Sequence, residues 1–183
     1  MNRLIPLLML PVFFGPFSFA DPPVVNQTGP DLQAQTAEGE KVKLSEAVQA
    51  GPVVLIFMRG DIGRQCPLCT QQMQGLLKRA EELNKKKATI WMVYPGPKPA
   101  KKLKAMAEDF LKNTRLPDHF KLLIDPGFEI VKAYGVRWEE PKETAYPSTF
   151  VLGRKRKVHW SKISRTHGGR ATAEQILKAL PAP

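Results

Sequence analysis

Cysteine and histidine are scarce in this chain of 183 residues, which contains two of the first and three of the second. The histidines, His119, His159 and His167, stand singly and far apart. A structural zinc site needs four ligands and usually a second Cys or His pair, so this pattern argues against one. Both cysteines lie in a single Cys66-Pro67-Leu68-Cys69 run. We therefore expect neither a bound metal nor a cofactor.

Long apolar runs are also scarce. The uncharged stretch from Leu4 to Phe19 has sixteen residues, is broken by proline and glycine, and is short for a membrane span. A positive residue precedes it, and Ser18 and Ala20 place small side chains at the positions that signal peptidase reads. The pattern predicts a signal peptide over 1–20 and a domain over 21–183 that is exported, periplasmic or otherwise extracytoplasmic, and not membrane-spanning after cleavage.

Acidic residues are outnumbered, 17 against 28 basic ones, which gives a formal net charge of +11. A basic chain invites a nucleic-acid interpretation. The cations are scattered, however, over residues 85–87, 98–104 and 154–157, and aromatic residues are not interleaved with them. We expect solvated basic faces and no nucleic-acid partner.

The spacing of the cysteines indicates chemistry. Disulfides that stabilise exported proteins join distant segments and close long loops. A bridge between Cys66 and Cys69 closes almost no loop, so it would contribute little to stability. The pair is therefore predicted to be redox-active.

Alternating apolar patterns predict an α/β domain. A short hairpin comes first, with strands over 32–35 and 41–44 around Glu38-Gly39. Strands and helices follow in the order β-α-β-α-β-α-β-β-α. The predicted strands lie near 53–58, 89–94, 120–124, 148–152 and 157–163. The first predicted helix begins near Pro67, with an apolar stripe that continues to Leu83, and the others begin before Leu103, at Asp125-Pro126 and at Thr172. A central mixed sheet flanked by helices, with the hairpin as an N-terminal extension, is expected.

The cysteines follow the buried strand and open a helix. At a helix start the unpaired N–H groups and the helix dipole favour a negative charge, which suits Cys66 as the attacking thiolate. Pro67 fits the first helical position, and Cys69, nearly one turn later, is placed to resolve the intermediate. We expect Arg64 to add positive potential.

Seven stretches of the sequence carry a resemblance to known proteins. They are Pro30-Asp31-Leu32, Val53 to Phe57, Arg59-Gly60-Asp61, the Cys66 to Cys69 run, Ala133-Tyr134-Gly135-Val136, Tyr146-Pro147-Ser148-Thr149-Phe150 and Gly169-Arg170. These stretches resemble the redoxin group of the thioredoxin-like superfamily, which includes the alkyl hydroperoxide reductase/thiol-specific antioxidant (AhpC/TSA, peroxiredoxin) family and the TlpA-like thiol–disulfide oxidoreductases. The cysteine run and Tyr146-Pro147 are the diagnostic ones.

The resemblance implies a thioredoxin-like fold and roles for three further residues. Pro147 would be the cis proline that shapes the substrate groove, and the backbone of Tyr146 would meet a bound partner strand. Arg170 resembles the peroxiredoxin arginine that stabilises the attacking thiolate and the peroxide.

The chain departs from the peroxiredoxin pattern at two positions. Peroxiredoxins carry proline seven residues and threonine or serine three residues before the attacking cysteine, where this chain has Arg59 and Gly63. Gly63 has no hydroxyl to activate a peroxide. Four residues, Ile62 to Gln65, separate Asp61 from Cys66, where the redoxins that it resembles have about one.

Three functions remain open at this point. The first is a thiol–disulfide oxidoreductase that exchanges electrons with protein thiols or disulfides and is served by an electron-donating reductase. The second is a thiol peroxidase that reduces hydroperoxides with the same cysteines. The third is a copper-binding assembly factor, in which His167 would join the two thiolates, although known examples have three residues between their cysteines. The loop Arg137–Ala145 either lines the groove or covers the sheet edge.

Overall fold

A computed structural model of the protein describes residues 20–112 and 114–182. The predicted signal peptide, apart from Ala20, lies outside these residues. Within them, no helix has the length and apolar character needed to cross a membrane.

The described chain forms seven strands and six α-helices. The strands are β1 (Gln33–Thr36), β2 (Lys41–Lys43), β3 (Val53–Phe57), β4 (Thr89–Gly96), β5 (Phe120–Pro126), β6 (Ser148–Leu152) and β7 (Val158–Ile163). The helices are α1 (Leu44–Ala50), α2 (Pro67–Leu77), α3 (Ala80–Lys85), α4 (Ala100–Phe110), α5 (Glu129–Ala133) and α6 (Ala173–Ala179). A 3-10 turn, Arg154–Arg156, joins the last two strands.

All seven strands form one mixed sheet in the order β2-β1-β5-β4-β3-β6-β7. The central strands β3, β4 and β5 run parallel, as expected for strands joined by helical crossovers. The N-terminal hairpin pairs antiparallel with β5, and β6 and β7 pair antiparallel on the other side of β3. The predicted thioredoxin-like architecture, with its mixed sheet, flanking helices and hairpin, is confirmed.

The sheet separates two hydrophobic cores. Along β3, successive side chains point to opposite faces, so Val54 and Ile56 join one core while Val53, Leu55 and Phe57 join the other. The first core is covered by α2, α3, α4 and α6, and it contains both cysteines. The second is covered by α1 and α5. The redox pair therefore lies on one defined side of the sheet.

Three sequence-based boundaries were wrong. The sequence pattern predicts a strand that continues to Leu44 and no helix after it, whereas Leu44 opens helix α1. The helix predicted from Pro67 through Leu83 is two helices, since Arg79 has non-helical dihedral angles (φ −116°, ψ 18°). Both parts still place apolar residues, including Met73 and Leu83, in the same core.

The third difference concerns Asp125. It was predicted to open a helix with Pro126 at the first position, but both residues end β5 and α5 begins at Glu129. The Asp125 carboxylate nevertheless accepts hydrogen bonds from the amides of Ile130 and Val131, each at 3.0 Å. A capping carboxylate thus acts across the turn rather than from the adjacent position.

Candidate active site

The register of the sheet brings the site together. Strand β3 runs antiparallel to β6, with Phe57 opposite Ser148. The residues that follow β3 and those that precede β6 therefore meet at one edge of the sheet, which is the edge where the Arg59-to-Cys66 loop and the Tyr146-Pro147 segment lie.

Cys66 is the N-cap of α2 and Pro67 occupies its first turn, as predicted. The carbonyl of Cys66 accepts from the amides of Cys69 and Thr70, at 3.0 and 3.2 Å. Both cysteines are free thiols and nearly inaccessible, with 3% of Cys66 and 1% of Cys69 exposed. The two cysteines therefore lie nearly one turn apart at the buried start of the helix.

The two thiols have opposite acidities. A hydrogen bond from the Cys69 thiol is the largest cause that lowers the pKa of Cys66 to about 5, and the positive charges of Arg170 and Arg59 lower it further, while burial opposes them. The pKa of Cys69 is raised, first because it donates this hydrogen bond and second because of burial. Cys66 is thus the thiolate of the pair at neutral pH, and Cys69 keeps its proton.

Arg170 reaches the cysteine pair from the far end of the chain. Its Nη2 lies 3.8 Å from the Cys66 Sγ, and its Nη1 and Nε donate to Gln72 Oε1 and to the carbonyl of His167 at 3.1 and 3.2 Å. The helix that follows begins at Thr172, as predicted, with a capping box between Thr172 and Gln175 that fixes the chain just beyond Arg170. The structure therefore brings Arg170 to Cys66, as the resemblance implied.

Arg64, by contrast, is exposed. The second guanidinium that acts on the cysteines belongs to Arg59, which sequence reasoning noted only as a departure from the peroxiredoxin pattern. Arg59 is 8% exposed. Its main-chain N–H also forms a hydrogen bond to Cys69, which lowers the pKa of that thiol against the larger effects that raise it.

The residue after Arg59 has to be glycine, because the backbone there is both left-handed and close to another strand. Gly60 has a positive φ of 56°, and a Cβ there would lie 2.1 Å from the carbonyl oxygen of Pro95. Asp61, also buried, accepts from the Gly63 amide at 2.9 Å and from Lys98 Nζ at 2.7 Å. These contacts fix the start of the long loop, whose remaining residues lead to Cys66.

Tyr146 and Pro147 lie where they were expected, but one detail was wrong. The peptide bond between them is trans, whereas a cis bond was predicted. Trans is the lower-energy form even before proline, and the segment is held as an extended entry to β6 by bonds from the Tyr146 amide to Val136 and from the Ser164 amide to the Pro147 carbonyl. Pro147 is buried and Tyr146 is half-buried.

An aromatic cluster adjoins this segment. The ring of Trp138 stacks on Tyr146 with centroids 4.7 Å apart, and it also contacts His167 at 5.0 Å. The guanidinium of Arg165 lies 4.6 Å from the centroid of the Tyr146 ring. The loop Arg137–Ala145 therefore packs against the candidate site, and it does not simply cover a sheet edge.

A groove of about 510 Å³ runs beside the site, between α2 and the segment that leads into α6. Its lining includes Leu68, which is 36% exposed, together with Gln72, Gly75 and Arg170. The groove therefore adjoins the helix that carries the cysteine pair.

The copper interpretation gains no support from the geometry. Across residues 20–112 and 114–182, no three His, Cys, Asp or Glu side chains are grouped so as to hold a metal ion. His167 bonds to the carboxylate of Glu143, with 2.9 Å between Nε2 and Oε1.

The fold and the low-pKa thiol at the start of a helix define a thioredoxin-fold redox protein. The AhpC/TSA family model matches residues 25–161, and the chain belongs to that family. It is an oxidoreductase that acts on thiols, disulfides or peroxides. No curated protein matches the chain.

Solved structures share the fold at low identity. The chain is similar to a peroxidoxin, BcpB, from Mycobacterium tuberculosis, with 24% identity over 85% of this chain and 93% of the other, and a TM-score of 0.64. A putative thiol:disulfide interchange protein DsbE from Chlorobium tepidum is also 24% identical, over 86% and 99%, with a TM-score of 0.62. A yeast mitochondrial 1-Cys peroxiredoxin is 16% identical, over 84% and 73%, with a TM-score of 0.66.

Proposed function

We propose that this protein is an exported thiol–disulfide oxidoreductase in which Cys66 attacks and Cys69 resolves. The asymmetry of the two thiols carries the proposal. The hydrogen bond between them is the largest cause both of the lowered pKa of Cys66, about 5, and of the raised pKa of Cys69. A thiolate is the attacking species in disulfide exchange, and a resolving thiol has to stay protonated until the first step is complete.

The reaction proceeds in two balanced steps. The Cys66 thiolate attacks one sulfur of a partner's disulfide, so that a mixed disulfide forms and the partner's other sulfur leaves as a thiolate. Cys69 then loses its proton to a leaving thiolate and attacks the Cys66 sulfur. The partner's second sulfur leaves Cys66 as a thiolate, which takes a proton from water. The products are the partner's reduced sulfurs and a Cys66–Cys69 disulfide, and a dithiol reductase returns the pair to the reduced state.

Tyr146 and Pro147 lie at the same end of the sheet as the start of α2 at Pro67, and this arrangement supports a protein partner. The extended segment before β6 meets the loop after β3 at the same sheet edge as the cysteines. With the groove beside Leu68, it provides room for an extended stretch of polypeptide that carries the target disulfide. Arg170 would stabilise the thiolate during the exchange.

A peroxidase that uses the same cysteines is the second candidate. The observation in its favour is the contact between Arg170 and the Cys66 sulfur at 3.8 Å. Gly63 is the observation against it. It is exposed and has no side-chain hydroxyl, and a Cβ there would have no neighbour within 4 Å. Nothing at that position is ready to hold a peroxide oxygen.

Export is the remaining part of the proposal. It is supported by the apolar stretch before Ala20 and by the small residues at the expected cleavage site. Export is tested by fractionating the cells and measuring the mass of the protein recovered from each fraction. A chain in the extracytoplasmic fraction that begins at Asp21 supports export, and an intact chain in the cytoplasmic fraction overturns it.

Stopped-flow kinetics decide between the two substrates. The reduced protein is mixed with hydrogen peroxide or with a small aromatic disulfide, and intrinsic tryptophan fluorescence is followed, because Trp138 stacks on Tyr146 beside the site. We expect fast reaction with the disulfide and a peroxide rate no higher than that of a free cysteine thiol. A peroxide rate far above that of a free thiol would instead establish the peroxidase.

Two variants serve as controls. Cys66→Ser should abolish both reactions. Cys69→Ser should keep the first step and accumulate the mixed disulfide. Retained activity of either kind in Cys66→Ser would exclude the whole scheme.

A further inference from the structure

Glu143 places a negative charge where a thiolate enzyme would not be expected to have one. It lies in the loop Arg137–Ala145, and only 11% of its side chain is exposed. A carboxylate close to a thiolate disfavours the thiolate. Glu143 is connected to the cysteine pair through Arg59, so its charge calls for a role that outweighs this cost.

The contacts of Glu143 indicate that role. Its Oε2 and Oε1 accept hydrogen bonds from Arg59 Nε and Nη2 at 2.9 and 2.8 Å, which makes the ion pair bidentate. Only 10% of the Arg59 side chain is exposed. Such pairing fixes both the place and the plane of a guanidinium. Arg59 is the residue whose amide bonds to Cys69 and whose charge acts on Cys66.

A second branch leads from Glu143 to the other arginine. Glu143 Oε1 bonds to His167 Nε2, and the carbonyl of His167 accepts from Arg170 Nε at 3.2 Å. The two guanidiniums that act on Cys66 are thus both connected to one carboxylate.

The loop itself is rigidly held. Arg137 Nη1 donates to the carbonyls of Trp138, Glu143 and Thr144. The Thr144 hydroxyl donates to the carbonyl of Arg59, which ties the loop to the end of β3 a second time. These hydrogen bonds therefore hold the part of the loop that carries the Glu143 carboxylate.

We propose that Glu143 is a positioning residue that holds the Arg59 guanidinium beside the cysteine pair, where its positive charge stabilises the Cys66 thiolate. The loop Arg137–Ala145 is the element that carries this carboxylate to the site. The inference rests on the proposed function, because it assigns Glu143 a role in the reactivity of the attacking thiol.

The test compares position with charge at residue 143. The pH profile of Cys66 alkylation by iodoacetamide, checked by the ultraviolet absorbance of the thiolate, is measured for the reduced wild type, Glu143→Ala and Glu143→Gln. If Glu143 acts by position, Glu143→Ala frees Arg59 to move toward water, and the acid dissociation constant of Cys66 falls by roughly threefold or more. Glu143→Gln keeps a hydrogen-bond acceptor for Arg59 and should stay closer to the wild type.

The opposite result overturns the proposal. If Glu143 acted only as a nearby negative charge, both variants would make Cys66 more acidic. An unchanged profile in Glu143→Ala would also exclude the role. The matched control is Glu140→Ala, an exposed carboxylate of the same loop, which should leave the profile unchanged.

A double-mutant comparison covers the case in which Glu143→Ala does not fold. Arg59→Met and Arg59→Met with Glu143→Gln are compared, since the double variant removes both buried charges together. If Glu143 acts through Arg59, its loss in the absence of Arg59 removes only a negative charge, so Cys66 should be as acidic in the double variant as in Arg59→Met, or more acidic. A Cys66 that is less acidic in the double variant contradicts the proposal. Wild-type protein that lacks disulfide exchange would instead refute the proposed function.

Discussion

Arg170 Nη2 lies 3.8 Å from the sulfur of Cys66, although 104 residues separate the two in sequence. The contact depends on the capped start of α6, which follows Arg170 directly, and on the N-terminus of α2, which Cys66 caps. A guanidinium keeps its charge at every physiological pH. This contact therefore stabilises the Cys66 thiolate at every physiological pH.

Replacing Arg170 with methionine should raise the pKa of Cys66, because the substitution removes the larger of the two guanidinium effects. We expect a shift of about one unit, which is a tenfold loss in the acid dissociation constant of the thiol. The pH profile of Cys66 alkylation in the reduced protein measures it.

Arg64→Met is the matched control, since Arg64 is near Cys66 in sequence but exposed. It should leave the profile within experimental error of the wild type. An equal shift in both variants would restore the role that the sequence suggested for Arg64 and would deprive Arg170 of a special one.

The difference between Arg64 and Arg59 shows what the sequence could and could not predict. Cys66, Pro67 and Cys69 are adjacent, so strand, cysteine run and helix are visible from local patterns alone. Arg170 could be found only because a resemblance existed. The nearness of Arg64 to Cys66 in sequence suggests that its charge acts on the thiolate, yet Arg64 lies in the long loop and is exposed to solvent.

Glu143 left no usable signal in the sequence. The loop that contains it is charged and irregular, and its partner Arg59 is 84 residues away. Pairing across such a distance depends on β6 lying beside β3, which local patterns do not determine. The wrong start of α5 has a different, local cause, because the amides that Asp125 caps lie five and six residues beyond it, across a turn.

The stability of the reduced protein should rise with pH between about 5 and 9. The pKa of Cys66 is lowered from 9.0 to about 5 in the folded state, so in this range the unfolded chain binds one more proton than the native one. The stabilisation is complete above the unfolded pKa and is lost as the pH falls through the folded one. Cys69, whose pKa is raised from 9.0, acts only at and above pH 9.

Denaturant unfolding of the reduced protein over this pH range measures the effect. The slope contributed by Cys66 should reach at most about 1.4 kcal/mol per pH unit. Subtracting the profile of Cys66→Ser isolates it from the carboxylates. A difference profile that is flat, or that falls as the pH rises, would contradict the lowered pKa of Cys66.

Two glycines should respond to alanine with opposite signs. Gly60 has a φ of 56°, and a Cβ would meet the Pro95 carbonyl oxygen at 2.1 Å, a backbone atom that cannot easily move. Gly60→Ala should therefore lower the free energy of unfolding by at least about 2 kcal/mol. Because Arg59 precedes it, the same variant should also raise the pKa of Cys66.

Gly75 lies inside α2, and a Cβ there would have no neighbour within 4 Å. Gly75→Ala should raise the free energy of unfolding by about 0.5–1 kcal/mol, because alanine restricts the unfolded chain and favours the helix. Denaturant midpoints of the two variants, measured in the reduced state, check both signs. Stabilisation by Gly60→Ala would mean that the turn after β3 is not the close approach to Pro95 from which Arg59 is aimed at the cysteines.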